Sequence, residues 1–187
     1  YLALAIAGDA SDNVAVGNMA GRYAIKTQFG TFLGHEAGEH ATGSYNTFLG
    51  GQAGRGGTTS APYSSGKYNV AVGYQALDAF TTAEYNVAVG VSALGSITTG
   101  YYNSVVGHEA GASITTGVYN TLLGRAAGAS ITTGQRNTAV GGSTINYLTV
   151  ATDSTAIGYD AGEYATGSYN TFVGSDAGKG GTTSAPY

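Results

Sequence analysis

Short apolar runs alternate with polar turns along the chain, on a spacing of 16, 17 or 23 residues. Eight of the ten runs begin with Asn and all ten end with Gly, and the three residues between them favour β structure, as in Asn103-Ser-Val-Val-Gly107. Such runs, bounded by turn residues, predict short strands. A unit of this length is too short for the helical repeats of solenoid proteins. The pattern therefore predicts an all-β solenoid in which each repeat forms one rung.

Ten repeats follow one another, and five successive intervals are 17 residues long. The rungs are predicted to begin at Asn13, Gly30, Asn46, Asn69, Asn86, Asn103, Asn120, Asn137, Ser154 and Asn170. Because each rung buries its apolar face only against its neighbours, residues 1–187 are expected to form a single repeat region. Residues 154–187 match residues 30–63 at 24 of 34 positions, including an enlarged turn. We therefore expect the chain to be a piece of a longer array.

Two columns of identical residues are interpreted as structural. The Asn column is expected to form a ladder of side-chain amides that satisfies turn backbone groups. It comprises Asn13, Asn46, Asn69, Asn86, Asn103, Asn120, Asn137 and Asn170. The Gly column is expected to mark a corner that needs positive φ or close approach of the next rung. It comprises Gly17, Gly34, Gly50, Gly73, Gly90, Gly107, Gly124, Gly141, Gly158 and Gly174.

The third and fourth residues of every repeat are apolar, although neighbouring side chains of a strand point to opposite faces of its sheet. One face is expected to fill the interior against a return strand around Ile97, Ile114 and Ile131. The other face needs a second cover, because a strand that is apolar on both faces is usually buried on both. Another copy of the same surface is the available cover, so the repeat predicts oligomerisation.

The Asn-x-x-Val/Leu-Gly-x-x-Ala repeat resembles the head repeats of trimeric autotransporter adhesins (YadA-like heads) and related repeats of tailed-phage tail fibres. The resemblance covers nearly the whole chain. It implies a left-handed parallel β-roll of ten rungs, in which three chains pack their inner strands around a common axis. This chain departs from the adhesin pattern in its longer units and in the Tyr that often precedes Asn, which lean towards phage and surface-fibre proteins.

Composition excludes several functions. Only 10% of the residues are charged, and the net charge of −4 comes from dispersed groups, so no basic cluster is present to bind nucleic acid or a membrane surface. The chain has no Cys and no apolar run of the length that spans a membrane. We predict a homotrimer or homopolymer with no inserted segment, located outside the cell on a virion tail fibre or a cell surface.

No residues form a recognisable catalytic, cofactor or metal site. The pairs His35-Glu36 and His108-Glu109 lie in separate rungs, and carboxylates such as Glu36 and Glu39 are interpreted as solvated turn residues. No nucleophile recurs beside a suitable base. We therefore expect a protein that is not an enzyme and that needs no cofactor.

Tyr precedes Asn in six repeats and is expected to stack along one edge of the solenoid, about 4.8 Å apart where adjacent rungs both carry it. Corner packing is the simpler interpretation, and binding of sugar rings is the alternative. The enlarged turns are the candidate contact loops for a glycan or protein receptor. Their contact residues are Thr58, Thr59, Pro62, Tyr63, Pro186 and Tyr187.

The sequence favours a structural and adhesive fibre segment, a trimeric rod that presents or forms a surface-binding region. A self-assembling extracellular filament of the same repeat is the main alternative, favoured by the duplicated block. An ice-binding solenoid is a lesser one, since Thr-Thr recurs at Thr98, Thr115 and Thr132, but adjacent Thr side chains point to opposite faces. A polysaccharide-cleaving β-helix would need a cluster of carboxylates that the sequence lacks.

Overall fold

A computed structural model describes residues 10–57 and 63–180. These residues form ten strands of three residues each. They are β1 (Val14–Val16), β2 (Thr31–Leu33), β3 (Thr47–Leu49), β4 (Val70–Val72), β5 (Val87–Val89), β6 (Ser104–Val106), β7 (Thr121–Leu123), β8 (Thr138–Val140), β9 (Thr155–Ile157) and β10 (Thr171–Val173). Every strand consists of the second, third and fourth residues of a repeat, counted from the Asn position as the first.

The ten strands form one parallel sheet in chain order, β1 to β10. Equivalent residues of successive repeats pair with each other, as Ala88 of β5 does with Val105 of β6. The chain thus returns beside its previous strand after each repeat and forms a β-solenoid of about nine turns. The described residues contain no helix. The prediction of an all-β solenoid with one rung per repeat is confirmed.

Each rung turns where the backbone adopts positive φ, often at residues other than Gly. The residue before the Asn position has φ between 53° and 63° in every rung, and the seventh residue has φ between 53° and 60°. Left-handed backbone costs non-Gly residues roughly 1–2 kcal/mol each. The rungs adopt it repeatedly, so contacts between rungs must offset that cost.

The interior is filled by side chains at the third, ninth and twelfth positions. In eight of the ten rungs the sizes of the third and ninth residues compensate, and the exceptions are Ala15 with Gly21 and Ala156 with Gly162. Where the third residue is Phe32, the ninth is Gly38, and a Cβ at Gly38 would collide with the Phe32 ring. Where the third residue is Ala88, the ninth is Leu94, which is fully buried although its φ is +50°. The Leu94 side chain fills the space beside Ala88, and this packing offsets the cost of its left-handed backbone.

The prediction of a return strand opposite the sheet is wrong. Ile97, Ile114 and Ile131 are fully buried, as predicted, but they lie in turns, and the described residues contain no second sheet. Short turn hydrogen bonds coil this part of the rung, for example from the Ile97 N–H to the Leu94 carbonyl at 3.2 Å. The left-handed seventh and ninth residues make the chain too compact there for extended pairing. Backbone hydrogen bonds still join this side of neighbouring rungs, as from the Thr98 N–H to the Thr115 carbonyl at 2.8 Å, but among the described residues they form no second sheet.

The compensation between the third and ninth positions predicts coupled stability effects. Ala88→Leu should lower the free energy of unfolding by about 1–3 kcal/mol through overpacking. Leu94→Gly should lower it by about 2–3 kcal/mol, since the cavity outweighs the relief of left-handed strain. The double variant recreates the pairing of Leu122 with Gly128 in another rung, so it should be more stable than the sum of the single effects by at least about 1 kcal/mol. Denaturant unfolding measures all three variants.

The matched control combines Ala88→Leu with Val91→Ser. The Val91 side chain is exposed and does not line the interior. Its effect should add to that of Ala88→Leu. Additive effects for the Ala88 and Leu94 pair would contradict the proposed compensation.

Candidate interaction surface

Six Asn side chains form a continuous hydrogen-bonded ladder inside the solenoid. The asparagine ladder consists of Asn46, Asn69, Asn86, Asn103, Asn120 and Asn137, all fully buried. The Asn103 amide shows the pattern: its Oδ1 accepts the backbone N–H and the Nδ2–H of Asn120, both at 3.0 Å. Its Nδ2 donates to Asn86 Oδ1 and to the Gly117 carbonyl, both at 2.9 Å. Every polar position of this buried amide is therefore occupied.

The other two Asn residues of the column lie beyond breaks in the ladder. Asn13 accepts the Gly30 N–H through its Oδ1 at 2.7 Å, and Gly30 has no side chain to continue the ladder. A Cβ at Gly30 would lie 2.8 Å from the Phe32 ring and 2.9 Å from Thr27. Ser154 occupies the other break, and its Oγ accepts the Asn170 N–H at 3.2 Å. Ser thus preserves one of the contacts that Asn makes.

The Gly column lies where the backbone of one rung passes close to the backbone of the next. All ten glycines have φ between 126° and 144°. A Cβ built on Gly107 would overlap the carbonyl oxygen of Gly124 in the next rung. The column combines both requirements that the sequence suggested, unusual φ and close backbone approach.

A threonine ladder was missed by the sequence reasoning. The hydroxyls of Thr81, Thr98, Thr115 and Thr132 each donate to the backbone carbonyl at the same position of the next rung, at 2.9 to 3.3 Å. The Thr-Thr pair that recurs in the sequence could have predicted this ladder. The first Thr of each pair is half-buried and bonded in this way, and the second is exposed.

Six aromatic rings stack along one outer edge of the solenoid. This tyrosine column consists of Phe29, Tyr45, Tyr68, Tyr85, Tyr102 and Tyr119. The rings of Tyr45 and Tyr68, Tyr68 and Tyr85, and Tyr85 and Tyr102 have centroids 4.9 Å apart, with interplanar angles of 4° to 20°. The expected stacking of the tyrosines that precede Asn is confirmed for these neighbouring rungs.

The stacking affects how the column could bind a ligand. Within it, adjacent rings cover both faces of each inner ring, while the ring edges are exposed. Sugar rings usually stack on free aromatic faces, so this geometry favours the packing interpretation. Burial in the stack, followed by the neighbouring phenols of Tyr102 and Tyr68, raises the pKa of Tyr85 above its ordinary value.

An ion pair replaces the rings at the next two rungs. Arg136 Nη2 donates to Asp153 Oδ2 at 2.8 Å, and a second bond from Arg136 Nε makes the pair bidentate. The hydrogen bond from Arg136 lowers the pKa of the Asp153 carboxyl. The two charges therefore neutralise each other within the column.

The outer sheet face is defined by the second and fourth residues of the ten repeats, which are the first and third residues of each strand. Its fourth-position column is aliphatic throughout, and many of its members are exposed, including Val106, Leu123 and Ile157. The second-position column consists of Thr, Val and Ser. No strand residue carries a charge. Together with the tyrosine column, the outer sheet face forms a flat, mainly uncharged surface along the solenoid.

Several charged side chains cluster on a different side of the rungs. Arg55 lies 3.1 Å from Asp78 and 3.9 Å from Glu36, while Arg22 lies 3.5 Å from Glu39. Glu36 and Glu39 lie in a turn, as expected. Glu39 is only 8% exposed, so the interpretation of this residue as solvated is wrong, whereas the Glu36 side chain is 20% exposed. Burial raises the pKa of Asp78, and Arg55 opposes that effect.

The remaining predicted contact and metal residues are placed as follows. His35 and His108 each contact the Glu that follows them, at 3.7 and 3.6 Å, in separate rungs. Within residues 10–57 and 63–180, no three His, Cys, Asp or Glu side chains converge into a possible metal site. Tyr63 is exposed and its ring lies 6.0 Å from that of Tyr23. Thr58, Thr59, Pro62, Pro186 and Tyr187 lie outside the described residues.

Comparison with known proteins found no match: no protein-family model, curated protein or solved structure matches the chain. In the part of the chain that the structure covers, no helix has the length and apolar character needed to cross a membrane.

Proposed function

We propose that the chain is a segment of a non-enzymatic structural and adhesive fibre, an extended rod of three chains outside the cell, on a tail fibre or a cell surface. The observation that carries the proposal is the outer sheet face, which is aliphatic in its fourth-position column and uncharged in every strand. Such a surface is suited to contact with protein. The rod would hold or form the region that contacts a glycan or protein receptor.

The dimensions of the surface support an interface. Ten strands at about 4.8 Å extend for about 45 Å, and the width from the tyrosine column to the fourth residue is about 15 Å, which gives an area of about 700 Å². Stable interfaces bury roughly 800 Å² per partner. The outer sheet face with the tyrosine column is thus of interface size.

Packing of equivalent faces from three chains would cover the fourth-position column, which one chain leaves exposed. Two charged clusters lie on another side of the rungs, one around Arg55 and one around Lys179, whose ammonium lies 3.0 Å from the Asp176 carboxylate, so such packing would not bury them. Rung-to-rung hydrogen bonds along each chain would supply resistance to extension. These features suit a rod whose role is mechanical.

The assembly is tested by Val106→Lys in the centre of the face. Light scattering of the unaltered chain should give three times the 18.7 kDa mass of one chain, and the variant should shift towards the monomer while circular dichroism stays β-rich. A Lys at the centre of the interface would bury an unpaired charge. Val91→Lys is the matched control, because Val91 is 42% exposed and Val106 39%, but Val91 lies outside the sheet.

A monomeric unaltered chain, or equal dissociation by both Lys variants, would contradict the three-chain rod. Electron microscopy separates this proposal from the filament alternative. Short particles of constant length support the fibre segment, whereas filaments of indefinite length support self-assembly of the repeat.

A further inference from the structure

The tyrosine column holds phenol rings of adjacent rungs in contact while leaving their edges open to solvent. The Tyr68 and Tyr85 rings are 4.9 Å apart at 8°, and both are more than two-fifths exposed. Left-handed backbone at each of these residues directs the side chain outward at the same point of every rung. The column therefore combines fixed proximity with access for a dissolved oxidant.

We propose that the tyrosine column is an oxidative modification site, in which a one-electron oxidant joins tyrosines of adjacent rungs as dityrosine. Each of two phenols gives one electron to the oxidant and one proton to water, forming two phenoxyl radicals. The radicals couple through one new bond between ring carbons ortho to the oxygens. Each ortho hydrogen then moves to its ring oxygen and restores the phenol. The reaction consumes two oxidising equivalents and releases two protons.

Coupling requires the two ortho carbons to approach from stacked rings. Because each ring is half-exposed, it can rotate about its bond to Cβ without displacing interior atoms. The backbone on both sides is fixed by the rung-to-rung hydrogen bonds, such as that from the Val87 N–H to the Asn103 carbonyl at 2.9 Å. Adjacent radicals therefore meet before radicals on different chains diffuse together in dilute solution.

The resulting bond would link rungs of one chain. A cross-link between Tyr68 and Tyr85 closes a covalent loop across two rungs, so those rungs cannot separate completely when the chain unfolds. The inference holds for one chain and for any assembly that leaves the ring edges of the tyrosine column open to solvent, and an assembly that covers these edges would block the reaction.

Exposure alone does not select these tyrosines. Tyr74 is 52% exposed, more than Tyr85 at 42%, but among the described residues its ring stacks on no other aromatic ring. Tyr147 and Tyr164 form a separate stacked pair with centroids 4.8 Å apart at 6°. Coupling should therefore occur in the column and in this pair, and should not involve Tyr74.

The test uses the dilute folded chain, visible light, tris(bipyridine)ruthenium(II) and persulfate, which together generate a one-electron oxidant. Dityrosine fluorescence should appear in the single-chain band of a denaturing gel. Digestion after Lys, Arg and Glu should then give residues 68–84 covalently joined to residues 85–109 in mass spectra. Tyr68 and Tyr74 lie in the same peptide, which provides the matched variants.

Tyr68→Phe should lower the yield of the joined peptides at least about tenfold, because Phe keeps the stacked ring but cannot form a phenoxyl radical. Tyr74→Phe should leave their yield unchanged. The cross-linked chain should also unfold at a higher temperature than the untreated one. Joined peptides that persist in Tyr68→Phe, or dityrosine found only in multichain bands whose yield rises with concentration, would overturn the proposal.

Discussion

Gly107→Val should lower the free energy of unfolding by about 4 kcal/mol or more. At φ +144° the backbone is in a region that is essentially restricted to Gly, where other residues cost about 1–3 kcal/mol. The added Cβ would also overlap the Gly124 carbonyl oxygen, which belongs to the stacked backbone and cannot rotate away. Overpacking of this kind adds about 1–3 kcal/mol or more. Denaturant unfolding followed by circular dichroism measures the loss.

Val91→Ser is the control for this substitution. Val91 follows its own corner glycine, Gly90, and its side chain is exposed. Replacing it should change the free energy of unfolding by no more than about 0.5 kcal/mol. Equal losses at Gly107 and Val91 would mean that the Gly column imposes no special constraint on the backbone.

The strands and the two structural columns could be predicted because each rung repeats the same local requirement. A buried amide must be bonded on every side, so Asn is replaced only where the ladder is interrupted, at Gly30 and Ser154. At the corner, only Gly tolerates the combined φ and backbone contact. Such constraints act on residue type at one position, and a ten-fold repeat makes them visible in a single sequence.

The coiled side of the rung was not predictable in the same way. The left-handed seventh position accepts Gln52, Ser92 and Glu109 alike, so no residue type marks it. Ile97 is β-branched and is equally suited to a buried turn and a buried strand. The turn is imposed by the compact path between Gly90 and Ile97, which composition does not reveal.

The packing of the interior also could not be predicted from single positions of the repeat. Ala88 and Leu94 each look variable, because the third position ranges from Ala to Phe and the ninth from Gly to Leu. Their sizes are related only through the cavity that both occupy. The same holds for the tyrosine column: its spacing was predictable, but the inclusion of Phe29 and the coverage of ring faces follow from the three-dimensional arrangement.

Asn103→Ala should lower the free energy of unfolding by about 4 kcal/mol. It removes an amide from the middle of the asparagine ladder and leaves the Asn120 N–H and the Gly117 carbonyl buried without this partner. Each unsatisfied buried group costs about 1–3 kcal/mol. Asn103→Ser should cost less than the Ala variant by about 1 kcal/mol, because its hydroxyl can accept the Asn120 N–H as Ser154 accepts that of Asn170.

Asn103→Asp separates hydrogen bonding from loss of volume, since Asp has nearly the same shape as Asn. Its second oxygen would replace Nδ2 and face Asn86 Oδ1 and the Gly117 carbonyl, which are both acceptors. Burial and these acceptors should raise the carboxyl pKa in the folded chain above its unfolded value. The destabilisation relative to Asn should therefore be smallest below about pH 4 and increase as pH rises towards the folded pKa. Denaturant unfolding across that range measures it, and a stability equal to that of the unaltered chain at every pH would show that the ladder stabilises the rungs by filling space rather than by bonding between amides.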